Sequence, residues 1–173
     1  MKQMTTIILA GLLAGASLHA ESAPVARPTT AQKSQSPVEV VSRSLQLKTV
    51  KTSEGKKVKK WVRATEVVPG DTVRYVNTVR NRSGQNIEKV RIVNPINSHL
   101  VYLARSAKCA GGCTIRFSID GGKHFAAPKE LFVKMKNGKR RLALPKEYNA
   151  VEWVINAIPA GESTTVEFKA RLK

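Results

Sequence analysis

Thr72-Val73-Arg74-Tyr75-Val76-Asn77-Thr78-Val79-Arg80 puts Val73, Tyr75 and Val79 on one face and Thr72, Arg74, Thr78 and Arg80 on the other. A period of two is what a strand shows when one face is buried and the other is wet. In Thr165 to Leu172, Val166, Phe168, Ala170 and Leu172 alternate with Glu167, Lys169 and Arg171. In Cys113 to Ile119, Ile115, Phe117 and Ile119 oppose Thr114, Arg116 and Ser118. Outward from these three, strands are predicted over Glu39 to Lys48, Lys57 to Val68, Ile87 to Val93, Leu100 to Ala104, Leu131 to Met135 and Val151 to Ile155. Turn chemistry separates them, at Pro69-Gly70-Asp71, Arg82-Ser83-Gly84-Gln85, Asn94-Pro95, Ala110-Gly111-Gly112, Asp120-Gly121-Gly122, Asn137-Gly138 and Pro159-Ala160-Gly161. Short strands punctuated in this way, without a long helical period, predict an all-β fold, an antiparallel β-sandwich over residues 39–173. Periodicity alone leaves a barrel as the alternative.

The amino-terminal residues read as a secretory signal. Lys2 gives a positive start, Ile7 to Leu13 an apolar run broken only by Gly11, and Leu18-His19-Ala20 a cleavage point between Ala20 and Glu21. The alternative is a retained anchor, but the apolar run is shorter than the roughly 18 residues a bilayer span needs. Neither Cys109 nor Cys113 lies near the cut, which excludes lipid attachment there, and no transmembrane segment is expected after cleavage. The expected location is the periplasm or cell surface. Residues 21–38 mix Pro24, Pro28 and Pro37 with small polar residues and read as a flexible lead. Removing residues 1–20 leaves 153 of 173, enough for one domain with its own core. It also removes Lys2 from the 30 basic residues, leaving 29 against 12 acids and a net charge of +17. Such a field favours anionic polymers or surfaces such as lipopolysaccharide, acidic glycan or nucleic acid, in a salt-dependent way. It equally serves as a solvated coat that keeps the chain soluble.

Val67-Val68-Pro69-Gly70-Asp71-Thr72-Val73-Arg74-Tyr75, followed by Asn81-Arg82-Ser83-Gly84, Asn94-Pro95 and Ile158-Pro159-Ala160-Gly161-Glu162-Ser163, resembles the bacterial conserved-repeat domain (domain of unknown function eleven). Ser118-Ile119-Asp120-Gly121-Gly122 is similar to a hairpin of its members. The resemblance covers about residues 60–173 and rests on the order of the turns. It implies an immunoglobulin-like sandwich of exported and cell-surface proteins, and it brings no catalytic residues. This chain departs from the family in having Asn94 where aspartate is usual, and in holding one copy where relatives often have tandem arrays. A single copy is not a stalk of repeats and fits an accessory or binding module better.

Cys109-Ala110-Gly111-Gly112-Cys113 sits at a join of two strands in a chain read as exported, so a Cys109–Cys113 disulfide is expected. The rival, a redox pair, has the wrong spacing and no accompanying βαβ pattern. A metal centre recruiting His99 and His124 to the cysteines lacks ligand spacing, so neither metal nor cofactor is expected. Lys48, Lys51, Lys56, Lys57, Lys59, Lys60 and Arg63 flank a turn at Glu54-Gly55, and Lys134, Lys136, Lys139, Arg140, Arg141 and Lys146 flank another at Asn137-Gly138. If the fold brings the two turns to one end, they form an anion-binding patch beside Trp61. Lysines on edge strands also simply block sheet-to-sheet association. Trp153 and Tyr75 read as core, while Trp61 stands among charges. No phosphate loop, serine elbow or zinc-protease helix is present, and Asp71 and Asp120 both lie in turns. The expected role is non-enzymatic binding or assembly in the envelope, through a sheet edge or loop tips on a protein partner. The alternative is a basic protein that binds an anionic polymer; the charge admits nucleic acid but does not favour it. The sequence does not fix the oligomeric state.

Overall fold

The computed structural model describes residues 36–173. The expected signal segment, its Ala20/Glu21 cleavage point and the lead up to residue 35 lie outside these residues. Among the described residues the chain forms β1 (Val38–Lys51), β2 (Lys57–Arg63), β3 (Thr72–Asn81), β4 (Ile87–Pro95), β5 (Leu100–Tyr102) and β6 (Lys108–Cys109). It continues with β7 (Cys113–Ser118), β8 (Phe132–Lys134), β9 (Arg140–Leu142), β10 (Ala150–Ile158) and β11 (Ser163–Leu172). Single 3-10 turns stand at Pro128–Glu130 and Pro145–Glu147.

All pairing is antiparallel. The larger sheet runs β2-β1-β3-β11-β5, with β6 also on β11; the smaller runs β4-β10-β7; β8 and β9 form a separate hairpin. The alternating positions face inward as expected. Val79 of β3, Val166, Phe168 and Ala170 of β11, and Tyr102 of β5 meet Phe117 of β7 and Val151, Trp153 and Ile155 of β10 in one buried cluster. Tyr75 stacks on Phe168 with ring centroids 4.9 Å apart, and Trp153 lies 6.2 Å from the same ring. The fold is an all-β antiparallel sandwich.

Where the strands differ from expectation, the backbone explains it. The strand expected over Lys57 to Val68 stops at Arg63, and Val67 and Val68 are exposed. Their apolar character reads as strand, but no neighbouring strand receives them. Leu100 to Ala104 shortens to Tyr102 because the chain turns at Arg105, which adopts φ 59°. β6 and β9, two and three residues long, were not anticipated because they are too short to show a period.

Two of the places where the chain changes sheet lie between β3 and β4 and between β10 and β11. Asn81 holds both crossings together. Its buried amide donates to the carbonyls of Gln85 (2.7 Å), Ile158 (2.9 Å) and Pro159 (3.1 Å), and its carbonyl accepts from Ser83 N–H (2.9 Å) and Ser83 Oγ (2.7 Å). The turn at Asn81-Arg82-Ser83 and the turn at Pro159-Ala160-Gly161 are thus one hydrogen-bonded unit.

Candidate interaction surfaces

A sheet edge is a row of unpaired backbone donors and acceptors, so each edge must be guarded or used. β2 is guarded by Lys57, Lys59 and Lys60, all exposed. β4 carries a left-handed residue, Lys89 at φ 53°, which interrupts its pairing between Val90 and Glu88. β5 is three residues long. β7 is covered where the loop ending in Ala126 folds back and exchanges both backbone bonds with Phe117 (2.9 and 3.0 Å).

β1 is different. It pairs with β3 from Val38 to Gln46 but with β2 only from Leu45 to Lys51. Ala64 extends the β2 side by one residue, its N–H donating to the Ser44 carbonyl (2.9 Å). Thr52 N–H bonds Lys56 in the same direction, and Pro37 O accepts from Arg82 on the β3 side. In an antiparallel ladder successive residues bond to alternate sides. Even-numbered residues of β1 therefore bond toward β2 and odd-numbered ones toward β3. Beyond Ala64 the N–H and C=O of Ser42 and Val40 point into a gap that no described residue fills. A groove of about 640 Å³ runs along it, lined by Val41 to Leu45, Arg63 and Ala64. The edge from Glu39 to Arg43 holds no lysine, proline or kink, and Val40 and Val41 are 45% and 41% exposed.

The two basic clusters are not brought together by strand pairing. Lys48, Lys51, Lys56, Lys57, Lys59, Lys60 and Arg63 sit on the β1–β2 hairpin at one edge of the larger sheet. Lys134, Lys136, Lys139, Arg140 and Arg141 belong to the β8–β9 hairpin, which leads into the Pro145–Glu147 turn that carries Lys146 and packs on β5 at the opposite edge. Within the second cluster, Arg140 lies over the Phe132 ring (4.9 Å), and Arg141 makes two bonds to Glu147 (2.6 and 2.7 Å). Arg141 and the Leu144 N–H hold the Glu147 carboxyl down to about 2. Trp61 neighbours only the first cluster. It is half-buried on the outer face of the larger sheet, with Lys169 (5.4 Å) and Arg74 (5.8 Å) over its ring, and Arg74 is paired to Glu167. By register, Arg43, Arg63, Arg80 and Arg171 share that outer face.

The outer face of the smaller sheet carries a charge cluster that the sequence reading missed. Glu152 is fully buried between Arg91, bonded to one carboxylate oxygen, and Arg116, 2.6 Å from the other. A spacing of 25 and 36 residues hides such a cross-strand triad until the register is known. Between the sheets, a cavity of about 540 Å³ opens beside Arg105, walled by Tyr102, Ile115, Phe117 and Tyr148.

The Cys109–Cys113 disulfide is present. It joins β6, paired to β11 at Val166, to β7, paired to β10 at Ile155, and so ties the two sheets at one margin. Gly111, at φ 108°, makes the turn between them. His124 Nδ1 lies 2.5 Å from Asp120, whose carboxyl is held well below the usual range by the His124 N–H and by Ser118 Oγ. Ser118, fully buried, also accepts from the Gly122 N–H (2.9 Å), so this side-chain set shapes the Asp120-Gly121-Gly122 loop. Among the described residues His99 gathers no other ligand-type side chains, and no group of three could hold a metal ion. Also among them, no helix is long and apolar enough to cross a membrane.

No protein-family model matches the chain, and no curated protein matches it. A crystal structure from Corynebacterium diphtheriae, of a protein named for a membrane anchor, is similar over 85% of this chain at 11% identity and a TM-score of 0.43. The match spans 29% of that structure's own chain.

Proposed function

We propose that the chain is an exported, non-enzymatic binding or assembly module of the bacterial envelope, at the periplasm or cell surface, acting by strand addition at the β1 edge. The observation that carries this is the gap beside Val40 and Ser42. Its backbone groups point outward, Val40 and Val41 are exposed along it between Glu39 and Arg43, and it holds no lysine, proline, kink or covering loop. An added strand gains affinity from main-chain hydrogen bonds and specificity from alternate side chains. The signal-like start and the order of turns shared with the conserved-repeat domain support export and an accessory role. Three of the glutamates are held by arginines: Glu152 with Arg91 and Arg116, Glu147 with Arg141, and Glu167 with Arg74.

The test is capture of envelope polypeptides by the tagged chain at low and high salt, with wild type and Ser42→Pro compared. Strand addition predicts capture that survives salt and is lost in Ser42→Pro, because proline removes one outward N–H and stiffens the edge. A second reading has its own observation, the cationic outer face of the larger sheet, which carries Arg43, Arg63, Arg80 and Arg171 as well as the Trp61 platform under Lys169 and Arg74. That face suits an anionic polymer and predicts retention on heparin or lipopolysaccharide that falls steeply with salt and is indifferent to Ser42→Pro.

A further inference from the structure

We infer that the strand added at the β1 edge is the same edge of a second copy of this chain, antiparallel about a two-fold axis through Val41. The inference rests on the reading above that this edge accepts a strand.

Register decides the matter. In antiparallel pairing, residues whose backbone groups face the gap meet residues that face it from the other side. Even therefore meets even across the new interface, and odd meets odd. A two-fold axis can then pass through Val40, Val41 or Ser42. Through Val40, the Glu39 carboxylate is set against Val41 of the second copy. Through Ser42, Arg43 is set against Val41, and Val40 must meet Ser44, whose carbonyl already accepts from Ala64. Through Val41, Val41 meets its own copy, Val40 meets Ser42 twice, and Glu39 meets Arg43 twice. Only this register pairs every charge with its opposite and buries the exposed valine at the centre; its ladder ends at Glu39 and Arg43, where Val38 of the second copy falls opposite Ser44 and displaces the single terminal bond of Ala64.

The side chains are set for it. Odd residues of β1 share the outer face, where both carboxylate oxygens of Glu39 are engaged by Arg82 (2.6 and 2.8 Å), so Arg43 of the second copy adds to an existing ion pair. The five residues from Glu39 to Arg43 span about 17 Å of edge, and the two Val40–Ser42 pairs supply the backbone bonds. Opposing this is the net charge of +17 on each exported chain. At about 0.15 M salt the screening length is about 8 Å, so distant charges are muted. Cross-strand neighbours, about 5 Å apart, are not. The contact is small and belongs to the weak, transient class.

The experiment uses charge reversal on the purified exported chain, followed by sedimentation equilibrium from about 10 µM to about 1 mM. Wild type is expected to self-associate. Glu39→Lys and Arg43→Glu each put like charges opposite one another twice, and each is expected to weaken association about tenfold or more. An equimolar mixture of the two variants is expected to regain it, because the new lysine of one chain faces the new glutamate of the other. Val41→Cys is expected to cross-link on oxidation, whereas Val40→Cys does not. A chain that stays monomeric to the highest concentration, a mixture that regains nothing, or equal cross-linking from both cysteine variants overturns the second copy as occupant. If a monomeric chain still captures another polypeptide in a manner lost in Ser42→Pro, the occupant was wrong and the edge reading survives. Loss of both results removes both.

Discussion

Replacing Asn81 by alanine should destabilise the sandwich more than any other single polar truncation outside the arginine–glutamate cluster. The side chain is 0% exposed and serves five partners. Its two amide hydrogens serve three carbonyls, so the bonds do not count separately. The Ile158 carbonyl is buried, and stranding it costs about 1–3 kcal/mol. Ser83 and Gln85 lie nearer the surface and can recover water, so each end loses about 0.5–1 kcal/mol. The total is about 3 kcal/mol, which for a domain of this size lowers the melting temperature by about 10 °C. Urea and thermal unfolding followed by circular dichroism measure it. Asn81→Asp sharpens the test. It keeps the acceptor for Ser83 but turns carboxylate oxygen toward three carbonyls, which raises the folded-state pKa above the unfolded value near 4. The variant is therefore least stable at neutral pH and recovers as pH falls through its folded pKa, when a hydroxyl hydrogen can donate. A loss below about 1 kcal/mol for Asn81→Ala, or an Asn81→Asp variant insensitive to pH, would refute the account of how the two crossings are joined.

Other outcomes follow from the same structure. Arg91→Ala and Arg116→Ala should each be mild, but together they leave Glu152 buried and unpaired, and the double variant should lose about 3–5 kcal/mol; adding Glu152→Met should restore most of it, and a double variant no worse than the sum of the singles contradicts the triad. Cys109→Ser with Cys113→Ser should lose about 2 kcal/mol, the loop-closure value for so short a loop, with exchange at β6 rising first; unchanged stability would show that the bridge ties nothing. Glu147 is ionised and bonded in the fold at a value of about 2 against an ordinary 4.5, so its contribution is full above about pH 4.5 and is lost as pH falls toward 2. Glu147→Gln should flatten the acid limb of the stability curve in that window, as read by melts across pH 2–5.

The alternating strands were legible because burial on one face writes a period of two into the sequence, and Val73, Val79, Val166 and Phe168 all lie in the core it implies. Cys109 and Cys113 were legible from their short glycine spacing. Trp61 and the basic hairpins show where local reading stops. Charge and turn chemistry placed each hairpin correctly along the chain, but their separation depends on which strand is first and which is last in the sheet. The open edge has the same origin. Val40 and Val41 look like any strand residues, and only the mismatch between β1, fourteen residues long, and β2, seven, leaves their far side bare. Asn81 was read as a turn residue, but its second role, at Ile158, spans a separation that no local pattern carries.

The most direct test of the central claim is amide hydrogen exchange along β1, read residue by residue by NMR in dilute solution. An open edge predicts alternation: Glu39, Val41 and Arg43 slow, because they bond to β3, and Val40 and Ser42 fast, because they face the gap. Uniformly slow exchange from Glu39 to Arg43 would mean that the edge is already covered, and uniformly fast exchange that the strand is not formed there; either contradicts the account.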